Sequence, residues 1–185
     1  MKKTGKILLA AAAMVMMTGC SQYKTTEGKV NEAVKTMFYN FTVNGAYMTQ
    51  SIDAAVPSAG NVFVVVNITV ENTYKGTLSM TDGHFQLQTI SAEESADASA
   101  SPDVTYAIPI TSKNSTVLLE DELPAAYDLA EKEIRTGTLI FEMPSTETVF
   151  NFCTADYFNY ANDSEVTTGN TFFVTITPET KGSIA

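Results

Sequence analysis

The chain has 185 residues, of which 44% are hydrophobic and 17% are charged, and its formal net charge at pH 7 is −10. This length suits one domain with a core of its own. The acidic balance and the single arginine, Arg135, argue against a nucleic-acid partner, because phosphate binding needs concentrated Lys and Arg.

The first 20 residues have the pattern of an export signal. Three lysines precede an apolar run at 7–17, and the small residues Thr18 and Gly19 lead into Cys20. A basic start, a short apolar stretch and a cysteine after small residues resemble a bacterial lipoprotein signal. The alternative is a membrane-spanning helix, but that would need roughly 20 apolar residues. We therefore predict a signal peptide at 1–19 and a lipid on the Cys20 thiol.

The predicted lipid places the mature protein outside the cytoplasm. Two or more acyl chains, such as palmitate, anchor a protein stably at about 0.8 kcal/mol per buried methylene. The expected location is the outer face of the bacterial cytoplasmic membrane, or the outer membrane in a Gram-negative source. Without residues 1–19, eight basic and 21 acidic residues remain, which gives a net charge of −13. Such a surface keeps a protein soluble or attracts cations.

The mature chain divides into a lipidated tether at 20–36, a β-sandwich at 37–178 and a tail at 179–185. Within the tether, Val30, Ala33, Val34 and Met37 have helical spacing, which predicts a short helix.

From residue 37 onward the apolar period changes to two. The clearest strand is predicted at 62–71, where alternate apolar residues share one face: Val62, Val64, Val66, Ile68 and Val70. Further strands are expected at 37–44, 84–90, 104–109, 115–119, 135–143, 148–154 and 170–177, and only 123–133 looks helical. Seven to eight short strands separated by turns predict an all-β fold, an immunoglobulin-like antiparallel sandwich with a short helical segment.

Three segments carry a resemblance to a known family. They are VFVVVNITVENT at 62–73, FQL at 85–87 and TGTLIFEMP at 136–144. Their order resembles a family of secreted proteins and lipoproteins, mostly Gram-positive, with an immunoglobulin-like sandwich related to the mycobacterial secreted immunoprotective antigen. The resemblance covers roughly 43–177 and implies fold and surface location, with no activity and no site residues. At 128–133 the chain lacks the Pro-Gly turn that is usual in the family.

The segment 155–169 is the most chemically diverse part of the sandwich. Its aromatic residues Tyr157, Phe158 and Tyr160, together with Tyr127, predict a surface for a protein or glycan partner. The alternative is that these rings belong to the core.

The same segment carries carboxylates that suit calcium. Asp156, Asp163 and Glu165 offer hard oxygens, and Asn159 or Asn162 would add carbonyls. Their spacing does not fit the EF-hand pattern, and solvated acidic side chains are the alternative.

The remaining reactive residues give no catalytic pattern. His84 is the only histidine and has no nucleophile motif beside it, so neither a Ser-His-Asp triad nor a zinc site is expected. With Cys20 acylated, Cys153 is the only thiol, and its strand-like surroundings predict a buried small hydrophobe.

These patterns favour a membrane-anchored lipoprotein of the cell envelope that acts as a non-catalytic binding or structural module. The alternatives are an envelope hydrolase that uses paired carboxylates and a calcium-stabilised structural module. The expected partners are the membrane, through the lipid, and an unknown protein or glycan, with no cofactor other than possible calcium.

Replacing Cys20 by Ser is expected to abolish acylation and to release the protein from the membrane or block its processing, because the thiol is the attachment point of the lipid. Membrane fractionation and intact-mass measurement check this. A Cys153→Ser chain is the control and should stay anchored; retention of the Cys20→Ser chain without acylation would contradict the signal assignment.

Overall fold

Strands make up most of the structure, a computed structural model that describes residues 23–90, 104–111, 118–159 and 166–184. Within these residues there are twelve strands, one short 3-10 helix (Asp82–His84) and two helical residues at 110–111. In chain order the strands are β1 (Thr25–Gly28), β2 (Val34–Lys35), β3 (Tyr39–Thr49), β4 (Asn61–Asn72), β5 (Leu78–Thr81), β6 (Phe85–Thr89), β7 (Tyr106–Ala107), β8 (Ala126–Leu129), β9 (Ile134–Pro144), β10 (Phe150–Asn159), β11 (Val166–Ile176) and β12 (Glu179–Thr180).

The strands form two packed sheets and a small third one. The first sheet has the order β1-β11-β10-β6-β7, and the second has the order β12-β3-β4-β9 with β2 beside the start of β3. Strands β5 and β8 pair with each other. All pairings of these strands are antiparallel except β1 with β11 and β12 with β3, which are parallel. The predicted antiparallel sandwich is confirmed.

Strand β4 occupies the centre of the second sheet, where it pairs with β3 and β9 over nearly its whole length. The predicted inward face is confirmed: Val62, Val64, Val66, Ile68 and Val70 are all buried. On the other face, Phe63 and Val65 join a smaller apolar cluster with Ile52, Ile110 and Ile140. Asn67 and Thr69, further along that face, are half-buried.

Phenylalanine rings fill the space between the two sheets. Phe85 and Phe152, from neighbouring strands of the first sheet, stack with their centroids 5.3 Å apart. Phe41 and Phe141, from the second sheet, meet Phe152 at 6.1 Å each. Each fully buried aromatic or aliphatic side chain of this size contributes about 1.5–3 kcal/mol, so this cluster is the main source of cohesion.

The segment predicted as a tether and helix is partly strand. Thr25–Gly28 forms β1 and pairs with β11, and Val34 pairs with Phe41 through β2. The helical spacing at 30–37 was misleading because Val34 alone of the four residues is buried. At the other terminus, β12 lies inside the predicted tail and pairs with β3.

The prediction of a helix at 123–133 is also wrong. Residues Ala126–Leu129 form β8, in which Tyr127 and Leu129 point inward while Ala126 and Asp128 are exposed. Pairing with β5 overrides the helical propensity of the Ala, Leu, Glu and Lys residues in this segment. Lys132 then adopts a left-handed φ of 64° in the turn to β9.

The remaining differences concern short strands. Five strands were missed, each of four residues or fewer: β1, β2, β5, β8 and β12. Of the strand expected at 115–119, residues 115–117 lie outside the described residues, and 118–119 are not in a strand. The strand expected at 104–109 is reduced to two residues, Tyr106–Ala107.

Gly137→Ala should lower the free energy of unfolding by about 1–3 kcal/mol, the usual cost of overpacking. A Cβ at Gly137 would lie 2.7 Å from the Asp121 carbonyl oxygen and 2.7 Å from Leu123 Cδ2. Urea unfolding measures the change. Gly45→Ala is the control, because its Cβ would meet nothing within 4 Å; equal stabilities for the two variants would contradict the packing of β9 against 121–123.

Candidate functional site

Several strands begin or end together at one end of the sandwich. The register pairs Tyr39 at the start of β3 with Asn72 at the end of β4, and Phe85 at the start of β6 with Thr154. Strand β1 also begins here, because Thr25 pairs with Thr171, which in turn pairs with Ala155. We call this region, defined by these residues, the β1 end.

A cavity of about 330 Å³ opens at the β1 end. Most of its lining is apolar, with a few polar groups. The lining residues are Phe38, Tyr39, Tyr74, Leu78, Ser79, Met80, His84, Ala155 and Asp156. They come from the two main sheets, the small third sheet and the loop after β4. Its volume and its mixture of apolar walls with few polar groups are typical of small-molecule or side-chain binding sites.

An aromatic pair forms the outer wall of the cavity. Phe38 and Tyr74 meet edge to face with their centroids 6.1 Å apart, and Tyr74 remains 48% exposed. The Tyr74 N–H donates to Asn72 Oδ1, while Asn72 Nδ2 donates to the carbonyl oxygens of Gly76 and Leu129. The buried Asn72 side chain thus fixes the loop that carries Tyr74.

Asp156 forms the polar end of the cavity and ties three segments together. The β10–β11 register shifts between Ala155 and Tyr157, so Asp156 sits at an irregularity of the strand. Its side chain is 1% exposed; Oδ1 accepts from the Met37 N–H at 3.0 Å and Oδ2 accepts from Asn170 Nδ2 at 3.3 Å. Asn170 Oδ1 in turn accepts from the Lys24 N–H at 3.0 Å.

His84 lies on another wall of the cavity. His84 Nδ1 lies 3.0 Å from the Thr81 backbone nitrogen, 3.0 Å from the Thr81 carbonyl oxygen and 2.9 Å from Thr81 Oγ1, so Thr81 holds the ring in place. The His84 carbonyl accepts from Thr154 Oγ1 at 2.8 Å, and the Tyr39 hydroxyl therefore donates to Thr154 Oγ1 at 2.6 Å. This chain of hydrogen bonds links the two sheets beneath the cavity.

The arrangement suits non-covalent binding. Asp156 is the one carboxylate among the described lining residues, and each of its oxygens already accepts a hydrogen bond. The Ser79 hydroxyl donates to Asp128 Oδ1 at 2.7 Å, away from His84. An apolar group with a polar edge would match these walls better than a substrate that needs acid and base catalysis.

The structure describes only some of the residues that were predicted to bind a partner or calcium. Tyr157 and Phe158 lie in β10, paired with Thr168 and Thr167, but their side chains lie outside the described part. Tyr160, and the calcium candidates Asp163 and Glu165, lie outside the described residues. Asp156, the third calcium candidate, is buried and hydrogen-bonded instead of open to solvent.

Tyr127 belongs to the core. It is 9% exposed, Arg135 lies over its ring at 4.9 Å, and burial raises the pKa of Tyr127 to about 12. Of the two interpretations of this ring, the structure supports the core. The sequence analysis missed Phe38, Tyr74 and His84 as cavity residues, and the only signal was the aromatic Tyr74 among the turn-forming residues at 72–76.

Cys153 is buried, as the sequence predicts. Its exposure is 6%, and burial raises the pKa of the Cys153 thiol to about 12. The thiol is therefore neutral and unreactive at physiological pH. Among the described residues, no three His, Cys, Asp or Glu side chains come together as a metal site would require. Within the same part of the chain, no helix is long and apolar enough to cross a membrane.

The fold defines a class of protein, the antiparallel β-sandwich domains. Within this class, the chain belongs to the family described as a domain of unknown function (DUF4352), which matches residues 28–164. No curated protein shows significant sequence similarity to the chain.

Solved structures that are similar to this chain come from several bacteria. A candidate lipoprotein from Bacillus subtilis, ycdA, has a TM-score of 0.50 and is 14% identical to this chain. The match covers 78% of this chain and only 38% of the length of ycdA. A candidate lipoprotein from Staphylococcus aureus has a TM-score of 0.48 and is 8% identical; the match covers 84% of this chain and 96% of the Staphylococcus chain. An uncharacterised β-sandwich protein from Clostridium difficile has a TM-score of 0.45 and 12% identity, with coverage of 84% and 96%.

Asp156→Asn should lower the free energy of unfolding by about 1–3 kcal/mol, because hydrogen bonds to buried charged groups are worth that much. Whichever way the amide is turned, its NH2 group faces one of two donors, Met37 N–H or Asn170 Nδ2. Urea unfolding provides the measurement.

The control for this variant is Asp128→Asn. Asp128 is exposed and accepts from the Ser79 hydroxyl, which an amide oxygen can replace, so a change within about 0.5 kcal/mol is expected. Similar losses for the two variants, or none for Asp156→Asn, would contradict the role of Asp156 as a buried acceptor of two hydrogen bonds.

Proposed function

We propose that this protein is a lipoprotein, anchored through Cys20 at the outer face of the cytoplasmic membrane, and that it serves the envelope as a non-catalytic binding module. The signal pattern at 1–20 supports the anchor, and a candidate lipoprotein, ycdA, stands among the structures with this fold. The relation to the mycobacterial secreted antigen remains part of this proposal.

The cavity at the β1 end is the observation that carries the binding role. Its walls combine the Phe38–Tyr74 pair with the polar groups of His84 and Asp156, and the exposed half of Tyr74 stands at the mouth. Tyr supplies rigid contact area with a polar tip, which suits a protein side chain or the apolar face of a sugar. The ligand therefore presents an apolar or aromatic group, from a protein or a glycan.

The alternatives make different demands on the same molecule. A carboxylate hydrolase needs a second acidic side chain within about 5–9.5 Å of the first, whereas Asp156 is the one acidic residue in the described lining. A calcium module would use Asp163 and Glu165 with Asp156. A rise in the unfolding temperature on adding calcium, reversed by a chelator, would favour the calcium module through ligand linkage.

Tyr74→Ala should weaken the binding of a neutral apolar dye, Nile red, by about fivefold, since one aromatic contact is worth about 1 kcal/mol. Fluorescence titration of the purified protein gives the dissociation constant. The control is Tyr106→Ala, which removes an exposed tyrosine on β7 that does not line the cavity.

Equal affinities of the two variants would show that the dye binds elsewhere, and the cavity would lose its support as a binding site. Loss of binding in both variants would indicate non-specific adsorption to exposed tyrosine and would count against the proposal in the same way. Urea unfolding of each variant shows whether a change in dye binding comes from a loss of folded protein.

A further inference from the structure

We propose that the β1 end of the sandwich rests against the phospholipid surface, so that the cavity opens where the protein meets the bilayer. This inference rests on the proposed anchor at Cys20, but it concerns the orientation of the domain and the surface that touches lipid. Three observations on different parts of the β1 end support it.

The first observation is the length of chain between the anchor and the fold. Only Ser21 and Gln22 separate Cys20 from Tyr23, and three extended steps span about 10 Å. Lys24 is already tied to the sheet, because its N–H donates to Asn170 Oδ1 and its carbonyl accepts from the Thr171 N–H at 2.9 Å. A lipid on Cys20 therefore holds the β1 end within about 10 Å of the bilayer surface.

The second observation is the distribution of exposed apolar side chains. Seven large hydrophobic side chains are exposed among the described residues. Four of the seven lie at the β1 end: Tyr23, Met37, Tyr74 and Ile134, with exposures of 40%, 54%, 48% and 63%. Tyr23 precedes β1, Met37 precedes β3, Tyr74 follows β4 and Ile134 begins β9. They thus surround this end from both sheets, and tyrosines are favoured at membrane interfaces.

The third observation is charge. The mature chain has eight basic residues, and five of them lie at or beside the β1 end: Lys24, Lys35, Lys75, Lys132 and Arg135. Five acidic residues lie in the same region: Glu71, Asp128, Glu131, Glu133 and Asp156. Of these, Glu133 Oε1 pairs with Arg135 at 2.8 Å. Basic and acidic residues thus balance at this end, whereas the mature chain as a whole has a net charge of −13. Basic groups near anionic lipid contribute about 1 kcal/mol each.

These features distinguish a bilayer from a protein partner. Each of the four exposed apolar side chains lies one or two positions from a basic residue in the sequence, and such a mixture suits the polar and apolar headgroup region. A protein interface would instead concentrate its apolar residues at a central core with few charges.

The absence of tryptophan from the sequence makes a direct test possible. Single-tryptophan variants Tyr74→Trp and Ile134→Trp report on the β1 end, and Val56→Trp reports on the opposite end, between β3 and β4. Val56 is 71% exposed, so it is a matched control. The mature chain is coupled through Cys20 to a maleimide lipid in phosphatidylcholine–phosphatidylglycerol vesicles, which leaves the buried Cys153 unmodified.

Brominated acyl chains in the vesicles should quench the indole fluorescence of the Tyr74→Trp and Ile134→Trp variants severalfold more strongly than that of Val56→Trp. A blue shift of the emission is expected for the two β1-end variants only. Equal quenching of all three variants would overturn the orientation. Weak bromolipid quenching of Tyr74→Trp, combined with protection of its indole from acrylamide, would also overturn it and would indicate a protein contact at this end.

The chemical anchor separates this test from that of the proposed function. If cells fail to acylate Cys20, the coupled chain still shows which end of the domain prefers the bilayer. Conversely, if the protein is acylated but quenching is equal at all positions, the proposed anchor stands and only the proposed orientation is contradicted. Urea unfolding of each variant confirms that the substituted tryptophan has not altered the fold.

Discussion

The contact between the two sheets depends on one cluster of phenylalanine rings, and the candidate site depends on that contact. Phe85 and Phe152 stack at 5.3 Å within the first sheet, and Phe41 reaches Phe85 from the second sheet at 6.0 Å. Tyr39, a wall of the cavity, meets the edge of Phe85 at 6.1 Å while its hydroxyl bonds to Thr154. Close-packed rings fix the relative position of the sheets, so the cavity has a rigid floor.

The sequence predicted the longer strands, in which apolar residues recur at every second position on the face toward the core. Strand β4 from Val62 to Val70 and strand β9 from Leu139 to Met143 have an apolar residue at every second position, because one face of each strand packs against the core between the sheets. Strand β1 has no such signal: the residues Thr25–Gly28 are polar, mostly exposed, and held by a partner strand 146 residues away. Strand β8 was misread because tertiary pairing prevailed over local helical propensity.

The candidate site could not be predicted from the sequence for a related reason. Its polar end joins Lys24, Met37, Asp156 and Asn170, which are far apart in the chain and meet only when both sheets have formed. Asp156 stood out in the sequence as a possible calcium ligand because, with Asp163 and Glu165, it could offer hard oxygens from one segment. In the fold it accepts two hydrogen bonds inside the protein, which a sequence pattern cannot distinguish from metal binding.

The parallel pairing of β1 with β11 also constrains when this protein can fold. Synthesis of a chain from its N-terminus delivers β1 early, whereas its partner strand, Val166–Ile176, is made much later. The loop closed by this pairing is long, and contacts between such distant residues are slow to form. During synthesis, β1 therefore remains unpaired until most of the given sequence has been made. Its composition, Thr-Thr-Glu-Gly, is polar enough to remain hydrated during that wait.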